Sequence, residues 1–251
     1  MRVIEVSARR LHSAHNLRAL DMPHRPGRPS AAPFALWLAL GLSLFGGLVL
    51  AAHFYPRPYD WRRDVMSSLA SPRDNPHAYG IACAGLALGG IFLAPFAVLL
   101  RQRLAYFAPA TTRWAGRLLI LGAVFLTLAA LIVPGHYRIL GIGRTHEHLA
   151  QIAGVALVVS MILYVRAALA LPRPFALQRL VGLLLVAVPV TALVVSRLSL
   201  LAAGAFASPT VYRAIRSSLW NSLALWEWIG AIGIYLFLAM ITFGLPKHPP
   251  E

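Results

Sequence analysis

Six apolar runs dominate this chain, and they restrict it more than any other feature. They cover approximately Pro33–Phe54, Tyr79–Leu100, Ala115–Val133, Leu149–Leu171, Leu180–Ala203 and Leu223–Phe243, each about 19–24 residues long. A helix rising 1.5 Å per residue needs about 20 residues to cross the hydrocarbon of a bilayer. Inside lipid the backbone must satisfy its own hydrogen bonds, so each run is expected to be a helix. The expected fold class is therefore all-α: a polytopic bundle of six transmembrane helices. Pro189 is expected to bend the fifth run, near whose end Arg197 sits, and the apolar stretch beyond Arg197 either prolongs the helix or lies along the interface.

The rest of the chain fits this division. Residues 1–30 carry six arginines and several prolines and read as a disordered basic cytoplasmic tail, in which Met22 competes with Met1 as the start. Residues 31–245 form the six-helix domain, and 246–251 are a second short cytoplasmic tail. Lys and Arg total 23 against 8 Asp and Glu. These basic residues are scattered between apolar runs, without a basic domain. That excludes nucleic acid as the partner and points instead to membrane lipids. With the N-terminus inside, the tail, the second and fourth connections and Lys247 carry the larger share of the basic residues. The positive-inside rule then places both termini in the cytoplasm and suits a bacterial inner membrane. Cys83, the only cysteine, lies within a run and reads as a small core residue.

Acids and histidines show the opposite asymmetry and gather on the outer side. Asp60, Asp64, Asp74 and Glu147 fall in outer connections, and Glu227 lies just inside the sixth run from that side. His53, His77, His136, His146 and His148 join them. Asp60 and Asp64 flank Arg62 and Arg63, and one helical turn would put both carboxylates on one face. Asn75-Pro76 reads as the cap and first residue of the second helix, and Ser71-Pro72 as a short turn. His146-Glu147-His148 has the composition of a metal site but not the spacing that aligns two imidazoles on a helix. Zinc held by some of His77, His136, His146 and His148 is the metal expectation. A carboxylate inside a span is costly unless paired, and Arg197, Arg144 or a histidine is expected to partner Glu227. Trp220, Trp226 and Trp228 read as an interfacial belt.

Three places resemble a known family. Arg63-Asp64-Val65-Met66-Ser67-Ser68-Leu69-Ala70 is similar to an Asp-x-Ile-Ser-x-Leu-Gly segment after the first helix of the prokaryotic family named domain of unknown function 998. His148 at the mouth of helix four and Glu227 on the last helix match positions of that family. Ala70 stands where the family has glycine, and Trp228 follows Glu227 where arginine is commoner. The family is loosely similar to Frag/DRAM/Sfk-type six-span proteins. It implies six spans and no reaction.

The expected function is to bind or process a lipid or lipid-linked molecule in a polar pocket at the outer face. Asp64, Ser67, His148 and Glu227 are the candidate catalytic groups of a membrane hydrolase or transferase, with histidine as general base. Asp60, Arg63, His136, Arg144 and His146 are the candidate ligand contacts. A non-catalytic structural or pH-sensing protein is the alternative. A transporter is a second alternative, weakened by the scarcity of polar residues at mid-depth.

Overall fold

The computed structural model describes residues 31–132, 145–171 and 175–244. The two expected cytoplasmic tails, His136 and Arg144 lie outside these residues. Among those described there is no strand. Six helices are long and apolar enough to cross a membrane. They are α1 (Ala32–His53), α3 (Tyr79–Leu104), α4 (Pro109–Leu131), α5 (Thr145–Ala168), α6 (Ala176–Phe206) and α8 (Leu223–Gly244). Among the described residues two short α-helices lie between them, α2 (Met66–Leu69) between α1 and α3 and α7 (Pro209–Ser217) between α6 and α8. The protein is a multi-pass membrane protein.

Several helices run past their apolar cores. α3 continues through Arg101 and Arg103, and α4 begins at Pro109, ahead of Arg113 and Arg117. Long basic side chains at helix ends keep their charge in water while the stem stays apolar, so the helix need not stop where the apolar run does. α6 is continuous through Pro189 and passes Arg197 to reach Phe206.

From Pro33 onward the chain forms one unit. Consecutive spans pack in order: α1 on α3, α3 on α4, α4 on α5, α5 on α6, and α6 on α8. Aromatic contacts link α8 back to α1. Trp37 stacks on Tyr235 with centroids 4.6 Å apart, Phe45 meets the same ring edge-on at 5.3 Å, and Trp37 Nε1 donates to Tyr235 O at 3.4 Å. Lipid offers no hydrophobic drive between helices, so close backbone approach matters. At the α1–α3 crossing, a Cβ on Gly85 would stand 2.6 Å from Ser43 O and 3.0 Å from Gly47 Cα. α1 carries a π-helical stretch at Leu42–Gly46 beside this crossing. The main core runs through Leu93, Phe96, Leu100, Leu119, Met161, Tyr164, Phe237 and Ile241.

Candidate functional site

The connection Phe54–Ala78 folds against the start of α8. Its organising group is Asp64. The Arg57 Nη2 donates to Asp64 Oδ1 at 2.7 Å, and the Asp60 amide donates to Asp64 Oδ2 at 3.0 Å. Tyr59 donates its hydroxyl to Asp64 O at 2.7 Å, and Asp60 Oδ1 accepts from the Arg62 amide at 3.0 Å. Asp64 N returns to Asp60 O at 2.8 Å, so residues 60–64 close one turn and the two aspartates meet. Burial pushes the Asp64 carboxyl up, but the Arg57 hydrogen bond, the Asp60 amide and the Arg57 charge together outweigh it and hold Asp64 below the usual carboxylate range. The same contacts raise Arg57. Burial keeps the Tyr59 phenol protonated well above its ordinary range, against the lowering influence of Trp228 and Ser68.

Glu227 joins this loop to the last span. Its Oε2 accepts from the Met66 amide at 2.7 Å. Met66 opens α2, and the first amides of a helix have no partner within it. Val65 precedes them in extended conformation and offers no side-chain cap. Glu227 therefore caps α2 from 161 residues away. A second tie, from Ser222 Oγ to Arg62 O, runs beside it. Rings surround the joint: Tyr55–Tyr59, Tyr59–Trp61 and Trp61–Trp228 meet edge-on at 5.3, 4.9 and 4.8 Å. Trp228 Nε1 is buried without a hydrogen-bond partner.

The sequence expectation paired Glu227 with Arg197, Arg144 or a histidine; among the described residues its Oε2 accepts from the Met66 amide and no ion pair is formed. Arg144 is not among the described residues. Arg197 stands at the same end of the bundle. Trp220 O accepts from Trp226 Nε1 at 2.8 Å and lies 2.9 Å from Ser196 Oγ. The chain neighbours of Glu227 and Arg197 thus converge on one carbonyl. Arg197 Nη2 is buried with no hydrogen-bond partner. Asn221 fixes this corner: its Oδ1 accepts from Ser196 and Ser199, and its Nδ2 donates to Ile215 O at 2.9 Å and Ser218 Oγ at 3.1 Å. Ser196, Ser199 and Asn221 escaped the sequence reading. Polar residues three apart on α6 were the available signal.

The described histidines do not assemble. His146 is buried, with Nδ1 2.7 Å from Ala129 O and 3.1 Å from Ile132 O. Only a protonated Nδ1 serves two carbonyls, so His146 ties the start of α5 to the end of α4. His148 faces outward, as do His53 and His77. Glu147 stands in the first turn of α5, where the helix dipole favours an acid. Among the described residues no three His, Cys, Asp or Glu side chains are grouped to hold a metal, and the zinc expectation keeps only His136 outside them. Ser67 is half-buried and Arg63 exposed, and no side-chain hydrogen bond of either is seen. The expected Asn75 cap is corrected. α3 begins at Tyr79 after Ala78, and Asn75 instead donates its amide to Ala51 O and Leu69 O, each at 3.1 Å.

One family model matches residues 37–244, from within the first span to the end of the sixth. The chain belongs to the family described as protein of unknown function DUF998. The match includes the Asp64–Ala70 segment, His148 and Glu227, the three places that carried the resemblance. No curated protein and no solved structure matches the chain.

Proposed function

We propose that this DUF998 protein binds a phospholipid headgroup at the outer end of its bundle, without turning it over. The observation that carries this is a pair of opposite charges left apart. Glu227 and Arg197 lie at the same end, their chain neighbours Trp226 and Ser196 meeting on one carbonyl, yet neither has an ion-pair partner among the described residues. Charges kept inside a span without a partner are expensive and mark a ligand site by default. A zwitterionic head supplies both complements: an ammonium for Glu227 beside the Trp61 and Trp228 rings, and a phosphate for Arg197. The distribution of basic residues supports placing this end on the outer side.

The reading stops at binding because the candidate catalytic groups are otherwise engaged. Both Asp64 oxygens are occupied, and His148 is not seen to contact Asp64 or Glu227. General acid–base work needs such groups within hydrogen-bond reach of one another. A purely structural role for the same acids draws support from Asp64, whose partners all lie within its own loop.

Lipid analysis separates the two. The protein is purified in mild detergent and its retained phospholipid quantified by mass spectrometry, for wild type, Glu227→Gln and Arg197→Gln. Binding predicts a several-fold loss of zwitterionic phospholipid in each variant at unchanged melting temperature. Equal lipid content in all three overturns it in favour of the structural role.

A further inference from the structure

Below the proposed headgroup site, α5, α6 and α8 leave a crevice. It is a shallow, half-open crevice with a cavity volume of about 50 Å³, between Val158 and Met161 of α5, Val186, Pro189 and Val190 of α6, and Gly230 and Gly233 of α8. We infer that this crevice seats one acyl chain of the same lipid, which makes the site a selective lipid seat rather than a headgroup contact alone. This deepens the function proposed above, and its headgroup half rests on that reading.

Depth, shape and charge each argue for that occupant. Gly233 lies at the middle of α8 and Pro189 near the middle of α6, so the crevice is at the level of the lipid tails. Every lining side chain is apolar. A solute pathway would need polar groups here, and a chain of methylenes needs none. Two glycines shape the space. A Cβ on Gly230 would meet nothing within 4 Å, and one on Gly233 would stand 3.4 Å from Leu185 O. That carbonyl is the one Pro189 leaves without its helical donor, since proline has no N–H to return to residue 185. α6 and α8 are therefore close at Gly233 and parted at Gly230.

Charge fixes which end is the head. Val190 and Arg197 are seven residues apart, so they share a face of α6 and differ in depth by about 10 Å at 1.5 Å per residue. Arg197 thus stands above the crevice at a headgroup's distance, with its Nη2 buried and unpartnered. From His148 to Trp226 the sequence contains no acid. Beyond Glu147 in the first turn of α5, no carboxylate from α5, α6 or α7 competes with a phosphate for this guanidinium.

The test uses the whole protein in vesicles of phosphatidylethanolamine and phosphatidylglycerol. These are doped with a phospholipid carrying a photoactivatable diazirine at the middle of one acyl chain. After illumination, adducts are mapped by peptide mass spectrometry. The inference predicts adducts concentrated at 185–190 and 229–234, above those on the exposed Ile91, Val98 and Val124 of other faces. Gly230→Leu, which fills the open space, should reduce crevice adducts several-fold and leave the other faces unchanged. Gly230→Ala, a smaller filling, should reduce them less and melt no lower than wild type, which guards against a folding artefact. Even labelling of all faces, insensitivity to Gly230→Leu, or crosslinks between two copies through this groove would each overturn the inference. The headgroup reading fails separately. If Arg197→Gln and Glu227→Gln leave retained lipid unchanged while crevice labelling stays sensitive to Gly230→Leu, the acyl seat stands and the headgroup site does not.

Discussion

Removing the Glu227 carboxylate should loosen one amide far along the chain. In Glu227→Ala the Met66 N–H, at the first position of α2, loses the acceptor that stands 2.7 Å away. No side chain of its own loop replaces it. Leaving a donor unsatisfied in a part-buried place costs about 1–3 kcal/mol. At about 2 kcal/mol the local opening equilibrium rises roughly 30-fold, since every 1.4 kcal/mol is tenfold. Amide exchange follows local opening. Hydrogen–deuterium exchange on a peptide spanning 62–69 should therefore show Met66 exchanging about 30-fold faster in Glu227→Ala, by the same conversion. Glu227→Gln keeps a carbonyl acceptor but loses the charge, and should accelerate exchange only a few-fold. The Ser222 tie to the Arg62 carbonyl remains in both variants, so the loop stays docked and the effect stays local. Unchanged Met66 exchange in Glu227→Ala would refute the idea that this carboxylate caps α2.

Other outcomes follow from the same geometry. His146→Ala removes a buried donor shared by two carbonyls and should cost about 2 kcal/mol. That is a fall in melting temperature of roughly 4–8 °C for a domain of this size, whereas His148→Ala on the exposed face should shift it little. Gly85→Ala drives a methyl into the Ser43 carbonyl and should destabilise the α1–α3 crossing by about 1–3 kcal/mol, while Gly80→Ala, with open space around it, serves as the neutral control in the same thermal scan. Asp64 ionises more readily in the folded loop than in an open one. The loop therefore gains stability above about pH 4, the ordinary aspartate value, and loses it as pH falls through the depressed folded value. Tryptic cleavage at Arg62 and Arg63 should be unsuited to such acid, so the loss is better read as Trp61 fluorescence, and Asp64→Asn should abolish the transition.

Some of this was legible in the letters and some was not. Six spans could be read because lipid enforces one solution, about 20 apolar residues in a helix, wherever the chain crosses. Glu227 stood out as a charge within such a run. Its partner did not, because a backbone amide has no letter of its own and every residue of the first loop except its prolines offers one. His-Glu-His suggested a metal, yet at 100° per residue a helix sends its two imidazoles to different faces: His146 inward to the carbonyls of α4, His148 outward. Asn75-Pro76 carried the signature of a cap, but Asn75 is fully buried and its amide bridges two elements, and α3 starts only after Ala78 at φ −136°. α7 was missed although Ser208-Pro209 signals a helix start, with Ser208 Oγ accepting from Val211 N at 3.4 Å. Gly47 and Gly85 form no motif, and only their juxtaposition shows why neither tolerates a side chain.

The most direct test is headgroup selectivity. Delipidated protein is titrated with phosphatidylethanolamine and, separately, with phosphatidylglycerol, and bound lipid is counted by native mass spectrometry. An ammonium held by Glu227 and a phosphate held by Arg197 predict that Glu227→Gln weakens phosphatidylethanolamine alone, while Arg197→Gln weakens both lipids. If neither substitution changes either affinity, the two charges serve the fold and no lipid head lies between them.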